Sequence, residues 1–415
     1  MTSEVRPVRV AVIGGGAAGL MAAVAAARAG ATVTLFEAND RVGRKLLATG
    51  NGRCNLTNVG AGPADYHGAR ALVEAVLPGF GPADAVAFFE AEGLATVVED
   101  RGRVFPRCGQ ASAALDVLRF ALDEAGVEVR CGAEVTSLVR EPDGFSLGLG
   151  AGARLRLDRV VLATGGRAAP GTGSRGQGYV LAAGLGHTLV EPVPALVQLR
   201  LASPHLKALA GARFEGRATL HVAGSVEGSA EGEVLFADYG ASGPAVLSVS
   251  RDAAEALARG EHPRLEVNLL PDRDAEAVSA ELKRRATAHP ARTSSELLVG
   301  LVHKRLILPL LKDLALPHDR PAGELTPADL ADLSRLLTAW TFEVTATTGW
   351  TGAQVTAGGV AGDEVNPDTL ESRKAPGLFL AGEVLDVDGD SGGYNLQWAW
   401  ASGWVAGTSA AAPAP

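Results

Sequence analysis

Cysteine is scarce in this 415-residue chain, with only Cys54, Cys108 and Cys131. They show neither C-x-x-C nor any metal-ligand spacing, which argues against a disulfide framework and leaves no candidate metal residues. An odd number of scattered thiols suits a reducing cytoplasm, the expected location. Basic charge is also short. Against 47 Asp and Glu there are 38 Lys and Arg, a net charge of −9 with no basic run, the wrong balance for a nucleic-acid surface. Long apolar runs are missing too: Gly14–Ala29 is Gly-rich and too short to span a bilayer. A first strand follows a few polar residues, which leaves no room for a signal peptide and completes the expectation of neither membrane nor nucleic-acid partner. A chain of this length exceeds one core, so two domains are expected. The oligomeric state is not specified.

Glycine, by contrast, is abundant at 52 residues, so an isolated Gly-rich turn carries little information. Residues 10–19 are more specific. Arg9–Ile13 reads as a buried parallel strand, Gly14, Gly16 and Gly19 form G-x-G-x-x-G, and Ala17–Ala29 has helical composition up to Gly30. Thr32–Phe36 reads as a second strand that delivers Glu37 to its C-terminal edge. Strand, glycine turn, helix and an acid about 20 positions on are the dinucleotide-binding fingerprint. Gly14 permits the tight turn, Gly16 lets a pyrophosphate approach the backbone, and Gly19 lets helix and strand pack closely. Ala17 and Ala18 open a helix whose free N–H groups face the phosphates. Glu37 can accept from both ribose hydroxyls.

The remaining elements favour FAD over NAD as the resident dinucleotide. Val127–Arg130 and Glu134–Val139, the latter containing Val135, read as short strands. Arg159–Ala163 is a buried strand running into Thr164, Gly165 and Gly166; Leu378–Ala381 is another, running into Gly382 and Glu383. N-terminal fingerprint, central Ala-Thr-Gly-Gly and C-terminal Gly-acid form the plan of glutathione-reductase-type flavoproteins, with Glu383 where Asp is usual. A Gly-rich loop then leads into an apolar helix, Asn395–Ala406, with Gly407 past its end. Its N-terminus would stabilise negative charge on a reduced flavin. A second G-x-G-x-x-G at Gly171, Gly173 and Gly176 follows Pro170 rather than a strand and reads as a backbone loop before the helix Gln177–Ala183. No second Rossmann domain is visible for NADH or NADPH, the candidate electron donors.

Four segments carry a family resemblance: Lys45–Asn58, Tyr239–Leu247, Val355–Val360 and Gly392–Trp398. In this order they resemble the signatures of bacterial flavoproteins that include BaiN-like bile-acid-pathway reductases and aminoacetone-oxidase-like enzymes, over about Val8 to Gly407. The chain departs from that pattern at Ala237-Asp238, where Thr-His is more usual, and at Gln177, where an acid is common. No proton-transfer role is therefore carried over to the first position.

The expected architecture is α/β: a discontinuous Rossmann-type FAD-binding domain, 1–190 and 349–415, with an inserted substrate domain, 191–348. The insert would comprise a β-barrel (191–270 and 339–348) and a small helical subdomain (271–338) with helices Asp272–Ala288, Thr293–His303, Arg305–Leu314 and Pro327–Leu337. A cleft between the domains is the expected substrate site.

The flavin would carry the redox step, with hydride passing at N5. Arg44 and Lys45 are placed to meet phosphates. Gly52, Arg53 and Asn55 resemble the family's flavin-proximal loop, as Gly393, Tyr394, Asn395 and Leu396 do its flavin-side helix. Tyr239, Arg53 and Tyr394 are the candidate catalytic residues; Cys54 between Arg53 and Asn55 reads as a small buried residue. His187 reads as cap or core, and Trp398, Trp400 and Trp404 as core. The expected activity is oxidoreduction of a small organic substrate: NAD(P)H-linked reduction of an activated C=C bond, with an O2-consuming amine oxidase as alternative. RNA modification and flavin binding without turnover are remoter alternatives.

Overall fold

The computed structural model describes residues 6–150 and 152–413, in two compact units: Met1–Pro192 with Gln354–Pro415, and Val193–Ala353. The boundaries fall at 192 and 354 rather than at the expected 190 and 349. Leu189–Ala195 pairs with Val355–Val360, so the chain leaves and re-enters the first unit along one two-stranded ribbon.

The first unit is built on a five-stranded sheet ordered Leu378–Leu380, Arg159–Leu162, β1 (Arg9–Ile13), β2 (Thr32–Phe36) and Glu128–Arg130, parallel throughout. Val10, Ala11, Val12 and Val160–Leu162 are wholly buried, as strands covered on both faces require. Paired residues in this sheet lie from 23 (Arg9 and Thr32) to 218 (Val160 and Leu378) positions apart in sequence, and the parallel register brings their C-terminal ends together. Val135–Glu141, Gly144–Leu149 and Arg154–Leu157 form an antiparallel meander.

Helix α1 (Ala17–Arg28) crosses the C-terminal helix, Tyr394–Ala411. That helix does not stop before Gly407. A Cβ at Gly403 would lie 2.4 Å from the Ala18 carbonyl oxygen, and one at Gly407 2.2 Å from that of Ala22. Gly407 serves helix crossing, not capping.

In the second unit, strands Leu199–Ala202, Gly240–Ser242, Ser225–Ala237, Arg213–Val222, Arg264–Asn268 and Trp340–Thr347 close into a barrel. Alternate residues of Arg213–Val222 point inward, and Leu220, Phe236, Val267 and Phe342 are buried there. Two helices missing from the sequence reading, Pro244–Ser248 and Ser250–Ala258, interrupt the strand order. Of the expected helix 293–303 only Ser294–Leu297 forms, because Gly300 is left-handed (φ +76°) and His303 caps the next helix, Lys304–Asp313. Asp274 caps Ala275–Ala288 by accepting from the Ala277 N–H at 2.8 Å.

Among the described residues no single helix is long and apolar enough to cross a bilayer. The bent pair Arg70–Gly79 and Pro82–Ala91 has the length, but Leu72, Val73, Val76 and Phe89 on it belong to the core.

Candidate cofactor site

The glycine turn between β1 and α1 is shaped by close approach. Gly14 is left-handed (φ +107°), and a Cβ there would lie 2.4 Å from the Ala163 oxygen; at Gly19 it would lie 1.8 Å from the Gly14 oxygen. Gly16 is different, for a Cβ there would meet no protein atom within 4 Å. The space beside Gly16 is a cradle that a side chain would fill. No side chain caps α1 at Gly16, so the first-turn N–H groups of Ala17 and Ala18 are unclaimed by a cap.

Glu37, 8% exposed, accepts from the N–H of Gly15 (2.8 Å), the N–H of Asn39 (2.7 Å) and Asn39 Nδ2 (2.6 Å). A carboxylate has about four acceptor sites, so capacity for a ribose hydroxyl remains. Asn39 was missed by the sequence reading, which followed the acid and not its partner. Its Oδ1 accepts from Arg44 Nη1 at 2.9 Å, so Arg44 braces Asn39 and, through it, Glu37. Ala133 N–H bonds to the Glu37 carbonyl, bringing the start of the strand that holds buried Val135 alongside. The second glycine motif closes on the same place: Asn39 Nδ2 donates to the Thr172 oxygen at 3.3 Å.

A second network joins segments far apart in sequence. Lys45 Nζ pairs with Glu383 Oε2 at 2.6 Å, and Glu383 Oε1 accepts from the Thr356 N–H at 2.8 Å. Thr356 Oγ1 in turn accepts from the N–H groups of Arg167 (2.8 Å) and Ala168 (3.0 Å). A Cβ at Gly166 would lie 2.3 Å from Thr356 Oγ1. Lys45 thus ends on Glu383, and Thr356, not singled out in the sequence, joins Glu383 to the loop carrying Arg167. Gly382, left-handed at φ +75°, is held from the last helix by Ser402 Oγ, which accepts its N–H at 2.9 Å, and by Trp398 Nε1, which donates to its oxygen at 3.2 Å. Gly165 is left-handed as well, and Thr164 Oγ1 beside it is buried with no partner among the described residues.

The loop Gly50–Asn55 is bent by left-handed residues at Gly50, Asn51, Gly52 and Cys54. Cys54 is wholly buried, and burial, against a hydrogen bond to Thr49, pushes its thiol up to about 12, which leaves no reactive thiolate. Arg53 stacks on Phe105 at 4.2 Å and pairs with Glu99. Asn55 Oδ1 is buried without a partner among the described residues, and a Cβ at Gly393 would lie 3.0 Å from it. Gly393 starts the helix in a left-handed conformation with no side-chain cap. Asn395 bonds both the N–H and the oxygen of Gly389; Leu396 is half-buried. Gln397, also missed, is wholly buried and accepts from Thr57 Oγ1 at 2.7 Å. Tyr239 lies in the other unit, on a barrel turn before Gly240, half-buried. Burial and Asp238 push its phenol above the usual range.

An open phosphate cradle, a buried acid at the second strand and orphaned polar atoms at Asn55 and Thr164 fit an extended dinucleotide with a polar ring system. This is a Rossmann-type FAD-binding fold with an inserted barrel, the scaffold of a flavin oxidoreductase. The chain belongs to the HI0933-like family, whose model, described as the HI0933-like protein Rossmann domain, matches residues 8–409. A 3-dehydro-bile acid delta(4,6)-reductase from Clostridium scindens is 41% identical over 406 residues, covering 97% of this chain and 99% of the relative. A ribosomal RNA dihydrouridine synthase from Escherichia coli is 34% identical over 397 residues, covering 95% and 96%. Among solved structures, a 3-ketosteroid-delta4-(5alpha)-dehydrogenase from Rhodococcus jostii RHA1 shares the fold at 17% identity, with TM-score 0.50 and 99% of both chains covered. The protein is an FAD-dependent oxidoreductase.

Proposed function

We propose that this oxidoreductase saturates a carbon–carbon double bond conjugated to a carbonyl in a small, steroid-like molecule, with NADH or NADPH as the electron donor. The observation that carries this reading is the similarity to the Clostridium scindens reductase along nearly the whole of both chains. When bound, FAD supplies hydride transfer at N5.

The chain's own residues would divide the binding work. Gly14, Gly16, Gly19 and the start of α1 hold the pyrophosphate, and Glu37 with Asn39 holds the adenosine ribose. Thr164, Asn55 and the uncapped start of the last helix face the flavin end. Lys45, Glu383 and Thr356 tie together the helix at 44–48, the end of the strand Leu378–Leu380 and the start of Val355–Val360.

A second reading follows from the Escherichia coli relative, whose name describes the same kind of bond reduced on a base in ribosomal RNA. The net charge of −9 favours the small molecule over a polyanion. The test is anaerobic stopped-flow absorbance of the flavin with NADH and NADPH, followed by mixing with a conjugated 3-oxo steroid or with ribosomal RNA. Bleaching by a nicotinamide and recovery with the steroid support the proposal. Recovery with RNA alone favours the second reading. Bleaching by an amine, with peroxide on admitting air, would replace both with an oxidase.

A further inference from the structure

The Gly-rich run entering the last helix is held from several sides. Val387–Gly389 pairs with Tyr66–Gly68, and Asp390 N–H bonds to the Asp65 oxygen. His67 Nε2 meets Asp390 Oδ1 at 3.0 Å, Asn58 Nδ2 donates to the Gly392 oxygen at 3.2 Å, and Tyr66 Oη donates to the Tyr394 oxygen at 2.9 Å. The ring of Tyr394 is boxed in by the same run. A Cβ at Gly392 would lie 2.7 Å from its Cε2 and one at Gly389 2.9 Å from its Cβ, while Tyr66 meets it edge-on with centroids 6.2 Å apart. The backbone and the ring are thus fixed, yet the half-buried Tyr394 hydroxyl has no hydrogen-bond partner among the described residues. A rigidly supported side chain with an unspent polar tip is how a reacting group is presented.

We infer that Tyr394 is the catalytic acid of the reduction proposed above, delivering the proton of its Oη to the substrate carbon next to the carbonyl. The inference rests on that reading of the activity. Saturation of a conjugated C=C bond needs a hydride on the β-carbon and a proton on the α-carbon. Bound FAD would supply that hydride and its two electrons; the π pair moves toward the carbonyl oxygen, and Tyr394 protonates the α-carbon. The tyrosinate then takes a proton from water. Other acids in this cluster are engaged: His67 is bonded to Asp390, Tyr66 is 1% exposed and bonded to Tyr394, and Cys54 is wholly buried. Burial, Asp65 and Asp390 keep the Tyr394 phenol protonated at neutral pH, the form that donates.

The test uses FAD-loaded Tyr394→Phe, reduced anaerobically and then mixed with a conjugated 3-oxo steroid or with ferricyanide, which needs no carbon protonation. Re-oxidation by the steroid is expected to fall about 100- to 10,000-fold, with FAD affinity and re-oxidation by ferricyanide unchanged. Fluorotyrosine at position 394, which lowers the phenol pKa, is expected to move the alkaline limb of the wild-type pH profile down by the same amount; this variant keeps the test open if the Phe variant does not fold. Steroid re-oxidation at the wild-type rate, an equal loss with ferricyanide, or an unmoved pH limb overturns the inference. A wild-type enzyme that no conjugated ketone re-oxidises overturns the proposed reaction itself.

Discussion

Gly16 and Gly19 stand three positions apart and answer to different forces. A methyl group at Gly19 would collide with the Gly14 oxygen, whereas one at Gly16, whose φ is −82°, would enter open space. Gly19→Ala is therefore expected to destabilise the apoprotein by about 1–3 kcal/mol through overpacking. Gly16→Ala should leave apoprotein stability within about 0.5 kcal/mol of wild type. Its FAD affinity should instead fall at least about tenfold, or about 1.4 kcal/mol. Thermal unfolding without FAD and flavin-fluorescence titration separate the two, and a Gly16→Ala protein with unaltered affinity would move the pyrophosphate elsewhere. The fingerprint glycines were legible because their spacing lies within one short turn, although the contacts that crowd Gly14 come from Ala163 and Thr164 and none crowds Gly16. Asn39 and Thr356 were not, since each matters through a partner that folding alone brings near.

Among the elements, two junctions make measurable claims. The crossing of the last helix over α1 depends on Gly403 and Gly407, so Gly407→Val should cost about 1–3 kcal/mol in urea denaturation. An unchanged midpoint would mean the helices separate easily. The segment 361–375 is tied down by His187, whose Nδ1 meets Glu364 Oε2 at 3.0 Å and whose Nε2 meets Ser372 Oγ at 2.7 Å. Burial holds this imidazole below its usual 6.5, despite the pull of Glu364. Glu364 is pushed up by burial but drawn down to about 2 by the Thr188 N–H and hydroxyl and by Lys374. As pH falls below 6.5 the unfolded His187 takes a proton that the folded one resists, and below 4.5 the same holds for Glu364. Both contributions therefore favour the fold at neutral pH and are lost in acid. His187→Asn should lower the melting temperature at about pH 7 and flatten its decline toward about pH 5. An undiminished slope would assign the acid sensitivity to other groups.

For the whole molecule, FAD contacts should be scattered along the chain yet form one site. Hydrogen exchange with and without FAD is expected to show protection at 14–20, 37–58, 164–178 and 382–396 together. Protection confined to the first of these would break the assembly of strand ends described above. The two units have separate cores, one around the parallel sheet and one inside the barrel and its helices. The insertion was legible because proline-rich exits and a change of period mark it. Its internal order was less so: Pro244–Ser248 and Ser250–Ala258 are short helices within a stretch that otherwise alternates like strands.

What the sequence determined by itself is the class of cofactor and the place of the strand, glycine turn, helix and acid that form the dinucleotide fingerprint. Those requirements are local: a turn of fixed handedness, a helix start, an acid at a strand end. What only the tertiary structure decided is the charge network from Lys45 through Glu383 to Thr356, the orphaned oxygens of Asn55 and Thr164, and the boxed ring of Tyr394. Hydrogen bonds and close contacts act over a few ångströms between residues as many as 344 positions apart. No pattern along the chain encodes that distance, and the parallel sheet register sets it.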